Sequence, residues 1–249
     1  MIKTILFDLD DTIFDHKFSR LTALSTLKGK HPLISDIALE ELEQEHERLL
    51  AGNYTKVLDG ALTIKDSMIE RTYLLFEKYD IKLTYNEAVK YTQIYKNVYD
   101  MNRRAIPKVK ELMKHLKMSY NIGIVSNGIF ELQDEKVKIC EIEDMIDFMI
   151  LSEDVKSRKP DRGIFEAALL KSGSKPEEAV FIGDSWVPDI VGASNCGIRT
   201  IWINRYNQDC PDCNLTYQIQ SYNEITNILD YIANFSIDTD VTANLGQRH

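Results

Sequence analysis

The chain has 249 residues, of which 44% are hydrophobic and 28% are charged, and its formal net charge is −9. This length suits one core domain that carries a smaller inserted domain, and the composition is ordinary for a globular protein. The negative charge and scattered basic residues argue against a nucleic-acid polymer as partner, and the sequence predicts neither a membrane span nor a signal peptide, so we expect a cytoplasmic protein.

The first element is an apolar run that ends in a cluster of acids. Residues 5–7 predict a buried strand, and Asp8, Asp10 and Asp11 follow it. At strand geometry Asp8 and Asp10 leave the same face, where their charges repel strongly. A hard divalent cation such as Mg²⁺ would relieve this repulsion and keep coordination positions open for phosphate and water. The alternative is an acidic strand end without a ligand.

Residues 16–103 are predicted to form an inserted all-α domain of about four helices, because apolar residues recur there at spacings of three and four. His46 lies on one apolar stripe, which favours a packing role over a ligand role. The stretch from Gly52 to Thr55 and the Asp59–Gly60 turn are expected to separate helices.

From Pro107 onward, helical and strand patterns alternate. Helices are predicted from Pro107 and over 129–140, 161–172, 187–196 and 225–232, with strands at 121–125, 147–151, 179–182, 199–203 and 217–219. Short strands separated by single helices predict an α/β fold, a Rossmann-like parallel sheet with helices on both faces. The core domain would then comprise residues 1–15 and 104–235, followed by a loosely held tail at 236–249.

Polar residues also follow the later strands. They are Ser126, Asn127 and Gly128 after the second strand, Lys159 after the third, and Asp184 and Asp189 after the fourth. The hydroxyl and the backbone N–H groups of the second set suit phosphate oxygens, and the lysine precedes a proline that is expected to open a helix. Each signal alone fits a turn or a helix cap, but together they predict one site at the C-terminal edge of the sheet.

In order, these residues resemble the four motifs of the haloacid dehalogenase-like (HAD) hydrolase superfamily, over nearly the whole chain up to about Phe235. The helical insertion is similar to the type-1 cap of that superfamily. The resemblance implies that Asp8 is a nucleophile that forms an aspartyl-phosphate. It implies that Asp10 protonates the leaving group and then activates water.

The same resemblance implies the ligands of the site. Mg²⁺ would be held by Asp8, the backbone carbonyl of Asp10, and Asp184, with Asp189 in support. The phosphate would be held by Ser126, Asn127, Gly128 and Lys159.

Asp10 favours a phosphatase over a haloacid dehalogenase, because an alkoxide leaving group needs a proton and a halide does not. Residues 7–13, 60–63, 125–128, 152–154, 159–160 and 202–204 resemble the pyrimidine 5′-nucleotidase subgroup, whereas 155–158 are more basic than in that subgroup. The resemblance therefore implies a Mg²⁺-dependent phosphomonoesterase for nucleoside 5′-monophosphates. A sugar-phosphate or phosphoglycolate phosphatase, a phosphomutase, and a phosphate-ligand binding protein without turnover stay open as alternatives.

The cysteine pattern favours a reducing compartment. Cys140 and Cys196 stand singly in apolar helical patterns. Cys210 and Cys213 form a C-x-x-C pair without a second Cys or His pair, which favours an ordinary surface loop over a zinc or redox site.

Overall fold

A computed structural model of the chain describes residues 1–58, 60–212 and 216–234. The chain separates into two units, one formed by residues 1–15 and the described residues from 105 onward, the other by His16–Arg104. The first unit contains a six-stranded sheet and the second is helical. In the described part of the chain, no helix is both long and apolar enough to cross a membrane.

The sheet is parallel throughout, with the strand order β3-β2-β1-β4-β5-β6. Its strands are β1 (Thr4–Phe7), β2 (Asn121–Ser126), β3 (Phe148–Leu151), β4 (Ala179–Gly183), β5 (Arg199–Ile203) and β6 (Thr216–Ile219). Strands β1 and β4 are apolar runs that are buried at every position, as expected for a sheet covered on both faces. The strand order reverses between β1 and β4, and open α/β sheets bind ligands at the C-terminal ends of such a pair. The predicted α/β class is confirmed.

The helical unit contains four α-helices among the described residues. They are α1 (His16–Lys28), α2 (Leu39–Leu58), α3 (Ile64–Glu77) and α4 (Tyr85–Met101). Helix α4 begins with a capping box between Thr84 and Glu87, and Phe76 of α3 stacks on Tyr91 of α4 with ring centroids 5.0 Å apart. His46 is buried against Tyr95, and burial lowers its pKa well below the ordinary value, as expected for a neutral packing residue.

The expected break at Gly52 to Thr55 is wrong, because these residues lie inside α2. Asn53 is buried there and its side-chain amide donates to the carbonyl of Ser67 in α3 at 3.4 Å. This contact between helices outweighs the weak helix propensity of glycine and asparagine. Gly60 does turn, with φ of +72°, and Asp59 lies outside the described residues.

Further helices accompany the strands of the first unit. They are α5 (Val109–Lys117), α6 (Phe130–Ile139), α7 (Ser152–Val155), α8 (Arg162–Ser172), α9 (Gly192–Ser194) and a helical stretch at 225–234. The sequence predicts Pro107 and Pro160 as the first residues of helices, which is wrong, because α5 begins two residues after Pro107 and α8 begins two residues after Pro160. Lys108 between Pro107 and α5 has a left-handed backbone with φ of +71°, and Asp161 before α8 is extended. Asp161 occupies the predicted N-cap position, but its side chain makes no cap hydrogen bond.

The helix predicted at 187–196 is not a regular α-helix. Trp186–Val191 form a π-helical turn that leads into the short α9. The carbonyl of Ser185 accepts from the backbone N–H groups of both Asp189, at 3.0 Å, and Ile190, at 3.4 Å, and the second bond is the wider one that defines a π-turn. The Asp189 side chain is buried. Turns of this kind are frequent at functional sites.

Cys140 and Cys196 are free and buried. Cys210 lies outside any helix or strand, as predicted for a loop, but it is disulfide-bonded, which the preference for a reducing compartment does not predict. Cys213, Phe235 and the predicted tail at 236–249 lie outside the described residues.

Candidate active site

Lys159 joins two acids at the C-terminal ends of β1 and β4. Its ammonium lies 2.5 Å from Oδ1 of Asp8 and 2.7 Å from Oδ1 of Asp189. All three side chains are almost fully buried, with Lys159 only 4% exposed. The structure thus brings together residues from three separate motifs, as predicted from the parallel topology.

Asp184 completes a group of three carboxylates. One oxygen each from Asp8, Asp184 and Asp189 lies within 4.8 Å of the other two. Carboxylate oxygens are the donors that Mg²⁺ prefers, and these three carry more negative charge than the single ammonium of Lys159 can offset. The donor set therefore fits a divalent cation. Asp189 joins this group directly, whereas the sequence predicts only a supporting role for it.

The charges at this site perturb one another. Burial raises the pKa of Asp8 to about 7, the Lys159 ammonium opposes the rise and the Asp189 carboxylate adds to it. Burial, followed by the carboxylates of Asp189 and Asp8, raises the pKa of Asp184 well above its ordinary value. Burial lowers the pKa of Lys159, but Asp189 and Asp8 outweigh it and hold that pKa above its ordinary value. Without a further positive charge, Asp8 and Asp184 therefore resist full ionisation.

Position 183, at the end of β4, needs a glycine because the Asp189 side chain packs in the space that a Cβ atom would occupy. A Cβ atom on Gly183 would lie 2.5 Å from Oδ2 of Asp189. The same Oδ2 accepts a hydrogen bond from the backbone N–H of Ser185 at 3.0 Å. The indole N–H of Trp202 on β5 donates to the carbonyl of Asp184 at 2.7 Å, which fixes this loop from its other side.

Asn127 binds the backbone of Lys159. Its Oδ1 accepts from the Lys159 N–H at 2.7 Å, and its Nδ2 donates to the Lys159 carbonyl at 3.0 Å. The side-chain amide therefore holds the lysine in place, and any phosphate contact of Asn127 would have to come from its backbone N–H. A phosphate-binding role for Asn127 stays a prediction.

Ser126 accepts two hydrogen bonds through its hydroxyl oxygen. The donors are the backbone N–H of Gly128 at 3.2 Å and Nε2 of Gln133 at 2.7 Å. Because a hydroxyl has one hydrogen and two lone pairs, the hydrogen is left for a further acceptor, and a phosphate oxygen could be that acceptor. The N–H of Gly128 is already used, so in this arrangement Gly128 offers it to Ser126 and not to a phosphate.

Asp10 contacts two residues of α6 that sequence reasoning missed. Lys136 Nζ lies 2.7 Å from each Asp10 oxygen, and Gln133 Nε2 donates to Oδ2 at 3.2 Å. The Asp10 side chain is not in the group of three carboxylates. The sequence does contain a signal for these two residues, because Gln133 and Lys136 are polar and lie one turn apart on the helix that follows Gly128.

Two further contacts that the sequence did not indicate support the loop after β1. Arg205 lies 2.9 Å from Oδ1 of the fully buried Asp15, and the hydroxyl of Tyr222 donates to the carbonyl of Thr12 at 2.9 Å. Both partners come from beyond residue 200, so no local pattern relates them to the first motif.

Comparisons with known proteins agree with this geometry. The sequence profile of the haloacid dehalogenase-like hydrolases matches residues 2–197. A glyceraldehyde 3-phosphate phosphatase from Methanothermobacter thermautotrophicus is 30% identical over 82% of this chain and 86% of the relative. The pyrimidine 5′-nucleotidase YjjG from Escherichia coli is 25% identical over 90% of this chain and 96% of its own.

A solved structure shares the fold. The putative HAD-hydrolase YfnB from Bacillus subtilis, solved with bound magnesium, has a TM-score of 0.69 and 23% identity. The likeness covers 92% of this chain and 99% of the YfnB chain.

Proposed function

This chain belongs to the haloacid dehalogenase-like hydrolases, and from that membership we propose that it is a Mg²⁺-dependent phosphomonoesterase with Asp8 as nucleophile. The observation that carries the proposal is the meeting of Asp8, Lys159 and Asp184 at one sheet edge, with a second acid, Asp10, two residues after Asp8. A haloacid dehalogenase has no use for the second acid, because its leaving group is a halide. The relatives named as phosphatases support the same conclusion.

The residues divide the reaction into two displacements. The Asp8 carboxylate attacks phosphorus to form an acyl phosphate, while the bond to the leaving oxygen breaks and Asp10 gives that oxygen a proton. In the second step Asp10 takes a proton from water, which attacks phosphorus and releases Asp8 and inorganic phosphate. Lys159, within 2.5 Å of Asp8, neutralises charge that gathers as the anionic nucleophile meets the anionic substrate.

A cation completes this arrangement. Asp8 and Asp184 would hold Mg²⁺ through their carboxylates, with Asp189 as a third donor in the same group and the Asp10 carbonyl as a further expected ligand. When bound, Mg²⁺ would supply the positive charge that the three acids lack and would polarise a phosphate oxygen. The buried Ser126 hydroxyl, with its hydrogen left for a further acceptor, would bind a phosphate oxygen.

The direct test is phosphate release from p-nitrophenyl phosphate by the parent protein and by Asp8→Asn. We expect Mg²⁺-dependent release by the parent, its loss in EDTA, and a fall of at least about 10³-fold in the variant. Asp134→Asn is the matched control, because Asp134 lies on α6 in a surface pair with Lys138. Parental activity in Asp8→Asn would refute the nucleophile assignment.

The substrate class that we propose first is a nucleoside 5′-monophosphate, supported by the motif resemblance to pyrimidine 5′-nucleotidases and by the match to YjjG. A triose phosphate is the second candidate, because several relatives at 30% identity are named glyceraldehyde 3-phosphate phosphatases. A panel of nucleotides and sugar phosphates, compared by kcat/KM, distinguishes them. Preference for triose phosphates would reject the nucleotide assignment, and isomerisation without net phosphate release would indicate a mutase.

A further inference from the structure

Helix α6 presents two side chains, one turn apart, to the Asp10 carboxylate. Residues three apart on a helix share a face, which allows Gln133 and Lys136 to reach the same acid. Lys136 contacts both Asp10 oxygens at 2.7 Å, and Gln133 contacts Oδ2 at 3.2 Å. Both Asp10 oxygens are therefore hydrogen-bonded to side chains of α6.

Gln133 occupies its position at a cost in stability. It is 1% exposed, and in the part of the chain that the structure describes its buried Oε1 has no hydrogen-bond donor. A buried acceptor without a partner destabilises the fold. What the amide provides is its nitrogen, which donates to both Asp10 and Ser126. The backbone makes room for it at Gly128, where a Cβ atom would lie 1.8 Å from Nε2 of Gln133.

Lys136 differs from the other lysine near it on α6. Its side chain is only 14% exposed, and its ammonium also lies 5.5 Å from the centre of the Phe14 ring. Lys138, two residues on, is 59% exposed and pairs with Asp134 on the surface. Burial between an acid and a ring restricts where the Lys136 ammonium can sit, and Lys138 has no such restriction.

We infer that Gln133 and Lys136 are positioning residues that hold Asp10 where it can exchange a proton with the leaving-group oxygen. The inference rests on the proposed phosphomonoesterase function and adds two residues to its machinery. Because they act through Asp10, their removal harms a reaction in proportion to its need for a proton. An alkoxide needs that proton in order to leave, whereas p-nitrophenolate leaves as a stable anion.

The test compares kcat/KM for p-nitrophenyl phosphate and for a nucleoside 5′-monophosphate in Gln133→Met, Lys136→Met and the parent. We use kcat/KM because it reports the step in which the leaving group departs. With the nucleotide we expect each variant to lose about 10²-fold, as for a displaced catalytic group, and with the aryl ester less than about 3-fold. Lys136→Arg should recover part of the loss, and Lys138→Met should match the parent on both substrates.

Thermal unfolding separates positioning from structural support. Gln133→Met removes a buried unpaired acceptor, which raises stability, and the hydrogen bonds to Asp10 and Ser126, which lowers it, so we expect its midpoint to stay close to that of the parent while its nucleotide activity falls. Equal losses on both substrates would overturn the inference and indicate that Lys136 binds the phosphate itself. Unchanged activity on both substrates would overturn it too. If the panel favours a triose phosphate, that alkyl ester replaces the nucleotide in this comparison. If the parent releases phosphate from none of these esters, the proposed function fails and this inference fails with it.

Discussion

Replacing Asp184 by asparagine should stabilise the metal-free protein while removing its response to Mg²⁺. One oxygen of Asp184 lies within 4.8 Å of an oxygen of each of two other carboxylates, and the Lys159 ammonium pairs with those two, Asp8 and Asp189. Two unit charges at that distance repel by about 3.5 kcal/mol at an effective dielectric constant of about 20. The attraction of Lys159 for Asp184 offsets part of this repulsion. We therefore expect a net gain of about 1–3 kcal/mol in the free energy of unfolding at pH 8.

The pH dependence follows from the raised pKa of Asp184. A carboxyl whose pKa is raised by folding contributes stability at low pH, and this contribution is lost as the pH rises through the folded-state value. The parent should therefore lose stability between pH 5 and pH 8 in EDTA more steeply than Asp184→Asn. The advantage of the variant should accordingly shrink as the pH is lowered.

The measurement is thermal or urea unfolding in EDTA and in Mg²⁺ at both pH values. For a chain of this size the gain corresponds to a rise of roughly 2–12 °C in the midpoint. Mg²⁺ should raise the parental midpoint and have little effect on the variant. Asp134→Asn, on the surface of α6, should stay within about 0.5 kcal/mol of the parent. An Asp184→Asn protein that is less stable than the parent in EDTA at pH 8 would show that the carboxylate is already compensated and needs no cation.

Two further substitutions test the packing of the site. Gly183→Ala should lower the free energy of unfolding by about 1–3 kcal/mol and should also lower the rate of phosphate release, because its Cβ would overlap the buried carboxyl of Asp189. Gly52→Ala, which meets no atom within 4 Å, should instead be neutral or stabilising, and equal behaviour of the two glycines in unfolding would contradict this account. Asn127→Ala should cost about 1–3 kcal/mol and lower kcat, because it leaves the Lys159 backbone without two hydrogen bonds. Asn97→Ala, on the exposed face of α4, is its control, and wild-type turnover in Asn127→Ala would rule out the anchoring role.

The sheet could be predicted from the sequence because a buried parallel strand is a short apolar run, and four of the six runs here are followed by recognisable polar residues. Asp8, Ser126 and Asp184 follow β1, β2 and β4, and parallel topology alone requires their positions to meet at one edge. Lys159 could be assigned to that edge for the same reason. The bounds of the strands therefore differ from the predictions by only one residue at an end.

The remaining contacts depend on side chains that sequence spacing does not relate. Lys136 and Asp10 are 126 residues apart, and α6 has too weak an apolar stripe to show which of its faces turns inward. Arg205 and Asp15 are 190 residues apart and meet only once the sheet has formed. The error at Gly52 has the opposite cause, because a local preference against helix was overruled by packing between α2 and α3.

The two hydrogen bonds between Asn127 and Lys159 connect the loop of the second motif to the loop of the third, so that the two loops hold each other in position. A chimera that takes one loop from a relative and keeps the other could lose the hydrogen bonds between the Asn127 side-chain amide and the Lys159 backbone. Anyone redesigning the selectivity of this protein should therefore transplant residues 126–128 and 156–160 together, or leave both untouched and work elsewhere.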